Sequence, residues 1–371
     1  LIAVLGSCII VESPESPQNQ KSGEAKLMSA QRHALAYLAA TTFVFAMASL
    51  LAGLSAPAHA QGNPIVMKLS TATINDTQHE WLKRFAAAVE KDSGGRIKGE
   101  VYPASQLGAI PRQIEGVQFG AVQCWVGPPE FLVGVDERYE ALSAPGLFSS
   151  RSQYQHTIED PAVLDLMLGL GENKGLIGGG IFPIGPSSID TRKPVHRFAD
   201  YSGLKIRVLA SPFQLELIKR MGGSPVAMTL GDVLPALQQG AIDGTLTTMT
   251  QYTTLHYVDA AKYVVETGQP YVSSIAVLSK KWVDGLSPDL QRIVRDDAAQ
   301  VSKDIVPFVY EFFDAQSKIW LDQGGSISSL PPADQAEMLS KISSIADDVS
   351  AGKVELSGAV KTVFATAAKY K

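Results

Sequence analysis

An arginine near the end of a short strand, with a helix starting directly behind it, is a ready receptor for a carboxylate. Residues 203–212 have that layout: Gly203-Leu204-Lys205-Ile206-Arg207-Val208, then Ala210-Ser211-Pro212. Period-two alternation sends Ile206 and Val208 to one face of the strand and Lys205 and Arg207 to the other. A guanidinium offers a planar fork of donors and keeps its charge in any ordinary environment. The same window also fits a surface arginine on an edge strand, so the rest of the chain has to decide.

Other chemistry is sparse. His79, His156, His196 and His256 are far apart and never form a His-Glu-x-x-His pair, so no metal site is expected. There is no Gly-x-Ser-x-Gly elbow for a serine nucleophile. The glycine-rich run Gly169 to Gly175 follows a helix and precedes a strand, the reverse of what pyrophosphate binding needs, and reads as a helix stop. Cys124 lies in an apolar strand without a basic neighbour and reads as a packed thiol. The expectation is a protein that is not an enzyme and needs no cofactor.

The N-terminal region predicts where the protein works. Met28 is the expected translation start, with residues 1–27 as upstream sequence. Arg32, the apolar run from Ala34 to Leu54 and the Ala58-His59-Ala60 motif predict a secretory signal over residues 28–60, cleaved before Gln61. The small residues at Ala58 and Ala60 favour cleavage over an uncleaved membrane anchor. The expected product is exported. Beyond the signal Cys124 is the only cysteine, so no internal disulfide is available and the hydrophobic core must hold the fold. With 32 basic against 37 acidic residues the formal charge is −5, which gives no footing for nucleic acid.

The remaining chain is long enough for two domains. It alternates strand-like runs with amphipathic helices, the pattern of an α/β protein with largely parallel sheets. Strands are expected at 65–70, 98–102, 121–125, 176–182, 203–208, 225–227, 241–246 and 274–279. Helices are expected at 77–92 and 110–119, after Ser211, and from a Thr229 cap to Gln239. A long helical stretch over 288–322 should bend at Pro307, and two more helices should follow Pro331. Residues 183–188 are Pro/Ser-rich and read as the boundary between two lobes. Two exported α/β lobes without a catalytic constellation suggest a protein that encloses a ligand in the cleft between them.

Several segments, in order, resemble the substrate-binding subunits of the tripartite ATP-independent periplasmic (TRAP) transporters, of the DctP type. They are Tyr102 to Gly108, Ile114 to Ala121, Pro145-Gly146-Leu147-Phe148, Gly203 to Val208 and Ala236 to Gly244. The resemblance implies a two-lobed periplasmic binding protein fold, with a ligand cleft between lobes and a long helix shared by both. One lobe would comprise 61–184 and 273–312, the other 185–272 and 313–371. It also implies the periplasm as the compartment, membrane permease subunits as partners, a ligand-sensing receptor being the alternative role, and a salt bridge from Arg207 to the carboxylate of an organic acid.

The chain departs from the family pattern twice. Where many members have a second arginine, Gly185-Pro186-Ser187-Ser188 stands, and Ser187 is the candidate contact. Where an asparagine is usual, Thr245-Leu246-Thr247-Thr248 stands, and Thr247 takes over. Both changes make the pocket less polar. Together with Trp125, Phe182 and Tyr252 they point to a monocarboxylate, aromatic acids included. Ser70 and Gly127, at the ends of first-lobe strands, complete the candidate set.

Overall fold

The computed structural model describes residues 63–209 and 211–371, and Asn63–Lys371 forms one compact unit. The expected signal at 28–60 and the segment before it lie outside the described residues. The first elements are β1 (Ile65–Ser70), α1 (Thr77–Asp92), β2 (Ile97–Tyr102), α2 (Ile110–Phe119) and β3 (Cys124–Gly127). Asp76 starts α1, its Oδ1 accepting from the His79 N–H at 3.0 Å. Trp81, Phe85 and Val89 form the fully buried stripe that their spacing of four predicts.

Two 3-10 turns, Pro129–Leu132 and Glu137–Ser143, lead to α3 (Arg151–Glu159), α4 (Pro161–Leu168) and β4 (Leu176–Pro186). Then come β5 (Ser188–Thr191), β6 (Lys205–Val208), α5 (Pro212–Arg220), β7 (Ser224–Ala227) and α6 (Val233–Gln239). β8 (Gly244–Thr247), α7 (Met249–Thr254), β9 (Tyr263–Glu266) and β10 (Tyr271–Ser279) follow. The chain continues through α8 (Lys280–Asp284), α9 (Pro288–Asp304), α10 (Val306–Asp322) and β11 (Ser326–Ser329). It ends with α11 (Pro332–Ile342), α12 (Ile345–Ser350) and α13 (Val354–Ala368).

One sheet has the order β2-β1-β3-β10-β4 and the other β11-β9-β5-β8-β6-β7. The expectation of largely parallel sheets needs correction, because both sheets are mixed. β10 runs antiparallel to β3 and β4, and β5 antiparallel to β8 and β9. The chain passes between the sheets at β4–β5 and returns at β9–β10. The strands made at these passages run against those laid down by helical crossovers.

Other boundaries shifted for identifiable reasons. The third strand starts at Cys124 rather than Ala121, because the Ala121 and Val122 N–H groups cap α2 by donating to Gly116 O. In the same way the Ala241 and Ile242 N–H groups donate to Ala236 O, so β8 begins only at Gly244. Thr229 does not cap a helix. Its hydroxyl donates to Asp232 at 2.8 Å within a 3-10 turn, and α6 starts at Val233. β4 runs on to Pro186, into the stretch read as the boundary; β5, β9 and β11 were not anticipated, and three helices rather than two follow Pro331.

The 288–322 stretch divides at Ile305, with Pro307 in the first turn of α10. α9 packs on α1 and β4, while α10 packs on α7, β4 and β11, so this bent helix pair serves both sheets. The glycines of β4 permit that approach: a Cβ on Gly180 would lie 2.7 Å from the Ser302 Cβ of α9. Ser302 also accepts the Trp81 indole N–H at 3.0 Å, tying α1 to α9. Among the described residues no helix is long and apolar enough to cross a membrane.

Candidate ligand cleft

Arg207 occupies the third position of β6, and the sheet register fixes its neighbours. It is level with Thr245 of β8, which is level with Asp190 of β5. The side chains of this row share one face. Thr247, two residues along β8, shares it too.

Arg207 is fully buried. Its Nε and Nη2 donate to Met228 O at 3.0 and 2.9 Å, while Nη1 has no protein partner. Burial draws the guanidinium below its ordinary pKa, and Tyr257, Tyr252 and Asp190 oppose that shift. The group is thus a fixed cation with one donor arm unused.

Arg207 lines a cavity of about 30 Å³. From the first sheet's side Trp125, Gly127, Phe131 and Ile184 line it, together with Thr73 and Gln78 near the start of α1. From the second sheet's side come Arg207, Leu209, Leu230, Thr247 and Gln251. The Trp125 indole N–H is a second buried donor without a partner. Gln78 Oε1 is occupied by the hydroxyls of Thr71 and Thr73 at 2.9 and 3.3 Å. Across the cleft, Gln251 Nε2 reaches the Asp76 carboxylate at 3.5 Å. A larger open groove of about 610 Å³ runs along Arg192, Lys193 and His196, but none of the unpartnered buried polar atoms belongs to it.

Arg207, Thr247, Trp125 and Gly127 therefore lie together on the cavity wall. The other four sequence candidates lie elsewhere. The Ser70 hydroxyl turns to Cys124 O at 3.4 Å. Phe182 stacks on Trp81, ring centroids 6.1 Å apart, in the core beneath the first sheet. Tyr252 is a strut, its hydroxyl donating to Ser188 O at 2.6 Å. Ser187 is buried away from the wall, with its N–H on Pro270 O at 2.9 Å.

Of the residues not anticipated, Ile184 is the most instructive. A register shift opposite Val272 and Ser273 falls between Pro183 and Gly185, and Ile184 reaches the cleft at that irregularity. Thr73 and Gln78 lie just beyond the first strand, in the turn and helix start that follow Ser70. Cys124 is fully buried and burial pushes its thiol far up, so it is a packing residue.

Gly127 supplies a local test. A Cβ there would come 2.6 Å from Trp125 Cη2, so Gly127→Ala must push the indole out of its place on the wall. Overpacking of this kind costs about 1–3 kcal/mol. The expected result is a lower melting temperature together with weaker acid binding, read by calorimetry. Unchanged affinity would show that the indole position is irrelevant to the ligand.

Two mixed α/β halves, a shared bent helix and a closed cleft with unpartnered donors define a solute-binding protein of the two-lobed type. Residues 70–352 match the family described as bacterial extracellular solute-binding protein, family 7 (DctP), and the chain belongs to that family. The C4-dicarboxylate-binding periplasmic protein DctP of Rhodobacter capsulatus is 28% identical, over 66% of this chain and 73% of that one. A TRAP periplasmic solute-binding protein of Desulfovibrio salexigens, solved with orotic acid, superposes with TM-score 0.77 at 21% identity, covering 82% of this chain and 99% of that one. Another from Bradyrhizobium sp., solved with galacturonate, gives TM-score 0.74 at 26% identity, over 81% and 99%.

Proposed function

We propose that this chain is an exported receptor that closes over an organic acid, holds its carboxylate on Arg207 and hands it to TRAP-type membrane permease subunits. The observation that carries the reading is that two residues lining the same cavity, Arg207 from one side and Trp125 from the other, each have a buried donor without a partner, Nη1 and Nε1. A carboxylate is the small group that only accepts, and it would satisfy both. Relatives that bind C4-dicarboxylate and galacturonate support an acid as the ligand class. A periplasmic location fits the same relatives and the secretory pattern of residues 28–60.

A monocarboxylate, aromatic acids included, suits this cleft best. Among the described residues Arg207 is the only cationic one on the cavity wall, and Trp125, Phe131, Ile184, Leu209 and Leu230 make the rest largely apolar. About 30 Å³ holds roughly two waters, so even a small acid requires the walls to part. We assign that motion to two lobes, 61–184 with 273–312 and 185–272 with 313–371, moving about the β4–β5 and β9–β10 passages. No step of this role makes or breaks a covalent bond, so the chain acts as a carrier and not as an enzyme.

The test is thermal denaturation with benzoate, phenylacetate, pyruvate, succinate and galacturonate. At 100 times Kd a bound acid stabilises by about 2.7 kcal/mol, a rise of several degrees for a domain of this size. A monocarboxylate should give the largest rise. No rise with any acid at millimolar concentration would remove the carboxylate reading.

A further inference from the structure

The row that carries Arg207 also carries a buried acid outside the cavity. Asp190 is fully buried on β5. Its Oδ1 accepts from the Thr245 backbone N–H at 2.7 Å, and its Oδ2 has no partner. Two further unpartnered atoms, Thr245 Oγ1 and Tyr257 OH, belong to its immediate surroundings. The ionisable groups that face Asp190 are Arg207 from β6, Tyr252 from α7 and Tyr257 from the 3-10 turn that follows it. In the same row β8 offers Thr245 and β9 offers Val264. Arg207 thus has one carboxylate acting on its charge inside the fold, and that carboxylate does not line the cavity.

Resting on the reading of Arg207 as the ligand's anchor, we propose that Asp190 is its counter-ion in the empty cleft, and that binding of a carboxylate is accompanied by uptake of one proton onto Asp190. With Asp190 ionised as the counter-ion, the empty site would hold one positive and one negative charge. A ligand carboxylate would leave a net negative charge in a dry interior, which is costly. A proton from solvent, added to Asp190 Oδ2, restores neutrality, and Thr245 Oγ1 is at hand to accept the new O–H. Asp190 is a positioning residue, acting on the ligand through Arg207.

The direction follows from the charges. Burial already holds the Asp190 carboxyl well above its ordinary range, against the Thr245 N–H and the Arg207 charge. When a ligand carboxylate engages Arg207, that opposing charge is offset and a like charge is added, so the Asp190 pKa rises further. Binding then takes up a proton between the free and bound values. In that window affinity falls with rising pH, by up to about tenfold per unit.

The experiment is titration calorimetry of the protein with benzoate, phenylacetate and succinate at neutral pH, in two buffers of different ionisation enthalpy. The expected result is uptake of about one proton per acid bound in the wild type. Asp190→Asn should bind the same acid with no uptake and with an affinity flat in pH. Binding without uptake in the wild type, or uptake that persists in Asp190→Asn, overturns the inference alone. Binding of none of these three acids, nor of pyruvate or galacturonate, removes the anchor reading, and this inference with it. Should Asp190→Asn fail to fold, the wild-type Kd between pH 6 and 8.5 decides: a rise with pH supports the uptake and a flat profile refutes it.

Discussion

Arg207→Ala is expected to lower affinity for the bound acid by about 10- to 150-fold, the weight of a charge-assisted hydrogen-bonded pair worth roughly 1.5–3 kcal/mol. The fold should survive, since β6 keeps its pairing to β7 and β8 through the backbone. Stability will fall nonetheless. Met228 O loses both donors, and Asp190 is left buried without its counter-charge. Arg207→Lys tests the geometry separately from the charge. An ammonium cannot hold Met228 O with two parallel donors and still offer a third to the cleft. The lysine variant should therefore bind markedly more weakly than the wild type although its charge is intact. Calorimetric Kd values for the three proteins, with circular dichroism as a check on folding, supply the comparison. Wild-type affinity in the alanine variant would place the acid elsewhere.

The second large effect concerns stability and pH. Glu130 and Glu140, in the two 3-10 turns that follow β3, are almost wholly buried. Glu130 Oε1 accepts from the Ser143 hydroxyl at 2.6 Å. Glu140 Oε1 accepts from the Ser211 hydroxyl at 2.6 Å and from the Phe213 N–H at the start of α5. The second oxygen of each has no partner. Burial pushes both carboxyls up to about 7, and the charge of Glu130 adds to the rise at Glu140. In the unfolded chain a glutamate titrates near 4.3.

Between those values the native state holds protons that the unfolded state has released. The stabilisation is complete below the unfolded value and is lost as pH rises through about 7. Each group contributes up to about 4 kcal/mol, from 1.36 kcal/mol per unit between 4.3 and about 7. The protein should resist urea better at pH 5 than at pH 8. Glu130→Gln and Glu140→Gln should each flatten that difference by raising stability at pH 8. An equal or higher urea midpoint at pH 8 in the wild type would show that these carboxyls are ionised in the fold.

Local patterns were legible where one element suffices to set them. The alternation in Lys205-Ile206-Arg207-Val208, the four-residue stripe of α1 and the N-cap at Ser211 all follow from neighbours in sequence. Trp125 and Gly127 could be placed on one face of β3 for the same reason. What failed depends on pairing between distant strands. Phe182 was assigned to the cleft, yet the regular part of β4 turns it toward Trp81, and the irregularity at Pro183–Gly185 sends Ile184 there instead. Asp190 was invisible because no strand was expected between Ser188 and Gly203, where β5 (Ser188–Thr191) lies. Its relation to Arg207 exists only through the register of β5, β8 and β6. Tyr252 looked like a cleft aromatic but its hydroxyl is occupied by Ser188 O, a partner 64 positions away.

The central claim is that the acid's carboxylate sits on Arg207 inside the cleft, and a crystal structure of the protein with the most stabilising acid of the panel tests it most directly. The account predicts a carboxylate oxygen within hydrogen-bond distance of Arg207 Nη1, with the acid's body against Trp125 and the cleft walls parted to admit it. An acid bound instead in the open groove along Arg192 and Lys193, with Nη1 still unpartnered, would contradict it.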